Sequence, residues 1–293
     1  MVGTTYKLAN REAAMLAGLE FVGKKMPDLA KQGMRAAVRK KELLVHCWRG
    51  GMRSQSMAWL FETMGIPCYL LNGGYKSYRS YLRSFIEQAF QLCVLGGKTG
   101  SGKTEILKLL KEAGEQVIDL EALAHHKGSA FGALGESPQP STEHFENLLF
   151  RELRMCNPAK RVWVEDESRN IGRCAVPPEF YYQMKEALTF FLDIPREMRA
   201  ERLVKDYAGY EKEQLKECVI KISKKLGGDR TKESLESIEK EEFRKSAINM
   251  LQYYDKAYMF SLKRNHERVL RISSETMDPS ENMKLVLAQA EKV

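Results

Sequence analysis

The chain has 293 residues, 43% of them hydrophobic and 29% charged, which suits one large or two ordinary globular domains. Its longest apolar runs, such as 188–192, fall far short of a membrane span, and no basic-then-apolar leader follows Met1, so neither a membrane nor a secreted protein is expected. A net charge of +8 and a pI near 9.0 permit a polyanionic partner such as RNA. The six cysteines (47, 68, 93, 156, 174, 218) are scattered without a C-x-x-C pair, which argues against a zinc site or disulfide framework and fits a reducing cytoplasm.

Residues 8–41 have a helical pattern with a break near Pro27. Leu43–His46 is a short apolar run, expected to be a buried strand. It enters His46-Cys47-Trp48-Arg49-Gly50-Gly51-Met52-Arg53-Ser54. This loop sets a thiol among backbone N–H groups before a helix, expected over 55–64. Cys47 is the candidate nucleophile, and Arg49, Gly50, Gly51 and Arg53 are its anion cradle. A helix N-terminus and two arginines lower a thiol pKa and favour the thiolate. Cys68–Leu71 is a second strand, stopped by Asn72-Gly73-Gly74, and 75–89 is helical. Cys68 and Cys93 are expected in the core.

Leu92–Leu95 is a strand running into Gly97-Lys98-Thr99-Gly100-Ser101-Gly102-Lys103-Thr104. This is a complete P-loop pattern. Gly97, Gly100 and Gly102 let the backbone turn its N–H groups around a diphosphate. Lys103 brings charge to the outer phosphate, and Thr104 can place its hydroxyl on Mg²⁺. A helix follows to about Glu112, then a strand at 117–119, a loop over 128–141 and a helix over 142–155. The strand Val162–Val164 enters Glu165-Asp166-Glu167. There Asp166 is the expected second acidic element and Mg²⁺ ligand, with Glu165 and Glu167 as competitors. Leu188–Leu192 is a strand, 196–265 is helix-rich, 269–272 a last strand and 279–291 a last helix. Arg196, Arg199 and Arg202 share one helical face, and Lys224, Lys225 and Arg230 flank Gly227-Gly228. Either set suits phosphates or RNA, or a plain exposed face. Strands alternating with helices imply an α/β fold with parallel sheets.

Cys47–Ser54 in its strand–loop–helix setting, followed by Asn72-Gly73-Gly74-Tyr75, resembles the C-terminal half of a rhodanese domain. Such a half joined directly to a P-loop half resembles the tRNA 2-selenouridine synthases. Further matching segments are Val2-Gly3-Thr4 with Tyr6-Lys7, His126–Gly132, Gln139-Pro140-Ser141, and Glu165–Arg169 with Ile171-Gly172. The resemblance covers essentially the whole chain. It implies a partial rhodanese-like domain over 1–90 and a kinase-like P-loop domain over 91–293 with a helix-rich C-terminal part. The earlier rhodanese segments are missing from the pattern, so an incomplete first sheet with an open edge near 43–46 is expected.

The resemblance also implies a transferase. Its substrate would be tRNA carrying 2-thiouridine at the wobble position. Geranyl diphosphate would alkylate the sulfur, and selenophosphate would then replace it with selenium, with a selenophosphate supply enzyme as a further partner. Cys47, Lys103 and Asp166 would be catalytic. His126, Ser129, Phe131, Arg169, Arg199 and Arg202 are substrate or tRNA candidates, and Phe131, Phe145 and Trp163 lie near the motifs that would meet a prenyl chain. The residues by themselves also admit a P-loop small-molecule or nucleoside kinase with a regulatory rhodanese-like module, a Cys-x5-Arg phosphatase, or a non-catalytic RNA-binding protein.

Overall fold

The computed structural model describes residues 4, 8–265 and 268–293; the motif residues Val2, Gly3, Tyr6 and Lys7 lie outside the described residues. Two compact units divide the chain, Met1–Leu82 and Arg83–Val293. Among the described residues, no helix is long and apolar enough to cross a membrane.

The first unit opens with α1 (Arg11–Gly23), capped by Asn10, whose Oδ1 accepts from the Ala13 N–H at 2.8 Å. α2 (Met26–Ala37) follows, with Pro27 in its first turn, where a missing N–H breaks no helical bond. β1 (Leu43–Val45) and β2 (Cys68–Leu70) pair in parallel, in the register Leu43↔Cys68 and Val45↔Leu70, around α3 (Met52–Thr63). Ala30, Leu60 and Phe61 form the core against Leu43, Val45 and Cys68. Alternation turns Leu44 and Tyr69 the other way, 64% and 60% exposed. Among the described residues β1 pairs with β2 alone.

The division falls inside α4 (Gly74–Ile86) rather than at residue 90. The last turn of α4 packs within the second unit. Phe85 meets Phe150 edge-on at 5.2 Å, Gln183 donates to the Ile86 carbonyl at 2.9 Å, and Arg83 pairs with Glu146 at 3.2 Å.

The second unit is built on five parallel strands in the order β4 (Gln116–Ile118), β5 (Val162–Glu165), β3 (Leu92–Gly97), β8 (Leu188–Asp193) and β9 (Val269–Ser273). β3, in the centre, is paired on both sides, Leu95 with Glu165 and Phe190. Its loop therefore opens where the carboxyl ends of three strands converge, the usual ligand position of an open α/β sheet. α5 (Lys103–Glu112) buries Ile106, Leu107 and Leu110 against the sheet, and α14 (Pro279–Ala290) covers the same core with Val286.

Three elements were not expected from the sequence. α6 (Leu120–Ala124) is capped by Asp119 and is too short for a periodic signal. The hairpin β6 (Asn170–Ile171) and β7 (Cys174–Ala175) turns at Gly172, φ +57. α8 (Pro178–Glu186) begins with Pro178 in its first turn and Glu179 beside it, a start signal legible in the sequence. The helix-rich part comprises α7 (Thr142–Met155) before the sheet is complete, then α9 (Arg196–Tyr207), α10 (Lys212–Lys221), α11 (Ser223–Leu226), α12 (Gly228–Glu239) and α13 (Phe243–Asn265).

Arg199 on α9 is 1% exposed. Its guanidinium donates to both carboxylate oxygens of Asp255 on α13 (2.8 and 2.9 Å) and to the carbonyls of Ile194 (2.9 Å) and Thr99 (3.0 Å). Asp255→Ala leaves that buried cation without its counter-charge. The expected cost is about 3–5 kcal/mol, read as a lower urea midpoint.

Candidate functional site

The cysteine loop is pinned from both sides. Gly50 has φ +65, and a Cβ there would sit 2.8 Å from the Gly74 nitrogen. Gly74 also has positive φ, and a Cβ there would collide with the Cys47 carbonyl and the Gly50 nitrogen. The Tyr75 N–H donates to the Cys47 carbonyl and the Lys76 N–H to that of Trp48, both at 2.9 Å. The start of α4 thereby locks the loop.

The half-buried Cys47 Sγ accepts from the Gly51 N–H at 3.3 Å and from the Ser54 hydroxyl at 3.4 Å. Ser54 has one hydroxyl proton and a second acceptor in the Gly51 carbonyl at 2.9 Å, so its donation to sulfur strengthens as the thiolate forms. The thiol pKa falls to about 6, chiefly through Ser54, with the backbone N–H groups of Gly51, Arg49 and Ser54 adding to it and partial burial opposing it. This corrects the expected source of activation. Arg49 contributes its amide, and both Arg49 and Arg53 point their charge to an exposed surface. Ser54, buried at 2%, is the residue that sequence reasoning passed over.

In the second unit, Gly100 (φ +82) and Gly102 (φ +80) turn the P-loop as expected for a phosphate cradle. Lys103 Nζ donates to the Gly97 carbonyl at 3.1 Å, across the loop. The Gly97 N–H donates to the Tyr258 hydroxyl at 3.0 Å, so this amide is turned onto the protein. Tyr258 donates in turn to Asp166 Oδ2 at 2.8 Å, and Lys185 Nζ holds Asp166 Oδ1 at 2.9 Å. Burial and the Asp166 carboxylate push the Tyr258 phenol up, which keeps it a donor. Asp166, expected to hold Mg²⁺, thus has both oxygens engaged by α8 and α13.

The Thr104 hydroxyl instead faces Glu121 Oε2 at 3.4 Å, and Glu121 shares a hydrogen bond with Glu167. Burial and like charges raise Glu121, Glu165 and Glu167 above the usual carboxylate range. Glu165, 2% exposed, is structural: its Oε1 accepts from the Glu121 N–H at 2.6 Å.

The P-loop, Asp166, Glu121 and Glu167 line a cavity of about 490 Å³. Its wall joins Gly97, Gly100, Gly102, Lys103, Thr104, Asp166 and Lys185 to the apolar Leu203 and to Phe131, Tyr207, Leu215, Ile238 and Met250, which belong to one hydrophobic cluster. One face of α13 lines it with Met250, Tyr254, Ala257, Tyr258 and Ser261, at i, i+4, i+7, i+8 and i+11. That stripe was a signal in the sequence.

The remaining candidates divide. Ser129 and Phe131 line the cavity, with the Ser129 hydroxyl accepting from the Phe131 N–H at 3.2 Å. Arg202 also lines it, paired with Glu105 and, at 3.5 Å, with Asp206. Arg199 is buried under Asp255 and cannot touch a substrate. His126 packs against Gly132 off the cavity wall, and burial lowers its pKa. Arg169 is exposed away from the cavity. Phe145 and Trp163 are fully buried elsewhere, Trp163 on Phe190 at 5.0 Å, so only Phe131 of the three aromatics reaches the cavity. Lys224, Lys225 and Arg230 are exposed and carry no ion pair among the described residues.

The family model described as "tRNA 2-selenouridine synthase AAA domain" matches residues 90–280. Relatives named tRNA 2-selenouridine synthase align over nearly the whole chain. The protein of Shewanella frigidimarina is 35% identical over 315 residues, covering 92% of this chain and 82% of that protein. That of Bdellovibrio bacteriovorus is 35% identical with the same coverage, and that of Nitrosomonas europaea 33% identical, covering 90% and 81%.

Alkylation of Cys47 by iodoacetamide should rise with pH to half its maximum near 6. Ser54→Ala should move that midpoint upward toward the ordinary thiol value of about 8.5. The rate is followed by mass spectrometry of the peptide that carries Cys47.

Proposed function

The chain belongs to the tRNA 2-selenouridine synthase family, and we propose that it modifies wobble 2-thiouridine of tRNA in two steps, geranylation of the sulfur by geranyl diphosphate and then exchange for selenium from selenophosphate. The observation that carries this reading is a single cavity lined both by a phosphate cradle and by a cluster of apolar side chains. A prenyl diphosphate pairs the same two chemistries. Pockets of this volume class bury most of a small ligand.

In the first step the thiocarbonyl sulfur attacks C1 of the geranyl group. The C1–O bond breaks, diphosphate leaves with the electron pair, and the base loses its N3 proton to solvent. Lys103 and the amides at the start of α5 stabilise the charge that develops on the diphosphate. The apolar ends of α9, α10, α12 and α13 hold the chain and keep water from C1. Thr104, Glu121 and Glu167 fit Mg²⁺ better than Asp166 does, because, among the described residues, two carboxyls held only to each other and to the hydroxyl converge there, whereas both Asp166 oxygens are engaged by Lys185 and Tyr258. When bound, the ion would add positive charge at the diphosphate. Lys185 and Tyr258 instead fix Asp166 as a support for the Gly97 end of the loop.

In the second step the selenium of selenophosphate attacks C2, the C2–S bond breaks and the geranyl thiolate departs with its electron pair; water then cleaves the P–Se bond, phosphate leaves, and selenium stays on the base. Alkylation has turned a poor leaving group into a good one. Cys47 handles the selenium as a soft thiolate suited to a soft chalcogen. The rhodanese-like setting of its loop supports the same assignment. The unpaired cations Lys224, Lys225 and Arg230, on a chain of net charge +8, are suited to the phosphates of the RNA.

Incubation with 2-thiouridine-containing tRNA, geranyl diphosphate and Mg²⁺ should add one geranyl unit to the thiouridine, seen by mass spectrometry of digested nucleosides. No gain, together with strong ATP turnover in the absence of tRNA, would overturn the reading in favour of a kinase. Lys103→Ala should lower geranylation by about a hundredfold or more. Cys47→Ala should spare geranylation and stop selenation. Met250→Trp, which adds bulk at the apolar cluster, should raise KM for geranyl diphosphate about tenfold or more while leaving tRNA affinity unchanged.

A further inference from the structure

The cysteine loop carries a second feature that the anion cradle does not need. His46 and Trp48 flank Cys47 in the chain, and both are exposed, Trp48 at 44%. Its indole therefore offers open aromatic surface beside the thiol. Tyr75 lies between them. Its ring centroid is 6.1 Å from His46, with 33° between the planes, and 5.8 Å from Trp48, with 44°. Tyr78 extends the row at 5.9 Å from Tyr75.

The arrangement is fixed by the backbone. The bond from the Tyr75 N–H to the Cys47 carbonyl, and that from Lys76 to Trp48, set the register between loop and helix. Gly50 and Gly74 permit the close approach. The aromatic row is therefore held by the same contacts that shape the thiolate loop. Arg49 follows Trp48 and Lys76 follows Tyr75 in the chain, and both are exposed, as is Arg53 on the first turn of α3.

Aromatic faces beside cations suit an unstacked nucleobase and its phosphates. Any base has a π-face to lay on such rings, whereas a paired base hides it. We propose that His46, Trp48 and Tyr75 form a stacking platform for an unpaired base of the RNA substrate, beside Cys47. The proposal rests on the tRNA reading above and adds where the RNA is gripped. An acidic partner protein or the prenyl chain itself would be the other occupants of such a surface.

The test uses the full chain in a Trp59→Phe background, which leaves Trp48 as the one exposed indole because Trp163 is fully buried. A stem–loop RNA with 2-thiouridine in its loop is titrated, and so is the same sequence fully paired. The looped RNA should quench Trp48 fluorescence and the paired RNA should not. Trp48→Ala should weaken binding of the looped RNA about 5- to 150-fold, the range that base–aromatic stacking gives, and Trp48→Phe should restore most of it. An unchanged Cys47 alkylation profile in Trp48→Ala shows that the loop is intact, and the quenching itself is read on a chain with the platform unaltered. Looped RNA that binds without quenching, and equally well to Trp48→Ala, would overturn the platform and leave the tRNA reading standing. Failure of the unaltered chain to bind RNA would overturn both. Quenching by geranyl diphosphate alone would reassign the surface to the prenyl chain.

Discussion

The Thr99 carbonyl in the P-loop is held by a guanidinium that is itself held, through two bonds, by a carboxylate on a helix more than fifty residues further along the chain. Arg199 ties the loop to α9, and Asp255 ties α9 to α13. A second tether runs from the Gly97 N–H through Tyr258 to Asp166 and Lys185. A glycine-rich loop has little rigidity of its own, so its shape must be imposed from outside. Both tethers pass through side chains of α13. The helix that shapes the phosphate cradle is also the helix whose stripe from Met250 to Ser261 walls the cavity. The phosphate loop and the apolar wall of the cavity are therefore parts of one packed body.

The same physics builds two different anion sites in this chain. In each, a parallel strand ends, glycine of positive φ turns the backbone, and a helix begins. In the P-loop the charge comes from Lys103, a hard point cation for phosphate. In the cysteine loop the anion is part of the protein, and Ser54 with the Gly51 amide stabilises it. One loop is built to receive negative charge and the other to hold it on sulfur.

The acidic residues after β5 show how neighbours sort identical groups. Glu165 is taken up by the Glu121 amide, Asp166 by Lys185 and Tyr258, and Glu167 is left facing Glu121 beside Thr104. Burial and like charge hold Glu165, Glu167 and Glu121 above the usual carboxylate range.

Much of this was legible in the sequence. The P-loop spacing identified its own cradle, and the alternation of short apolar runs with helical stretches gave the strand order of events along the chain, because both signals are local. The cysteine loop was legible for the same reason. What the sequence could not settle was which side chains meet across the fold. Arg199 and Arg202 sit on one helical face three residues apart, yet one is buried on Asp255 and the other lines the cavity. Phe131 reaches the cavity, while Phe145 and Trp163 vanish into the core. Asp166, Glu165 and Glu167 are equivalent as letters and distinct only through partners from α6, α8 and α13. Sequence fixes what depends on neighbours along the backbone, such as glycine turns, helix starts and strand length. The partner of a charge, and the side of a wall on which an aromatic ring falls, depend on elements tens of residues away, and only the packed structure decides them.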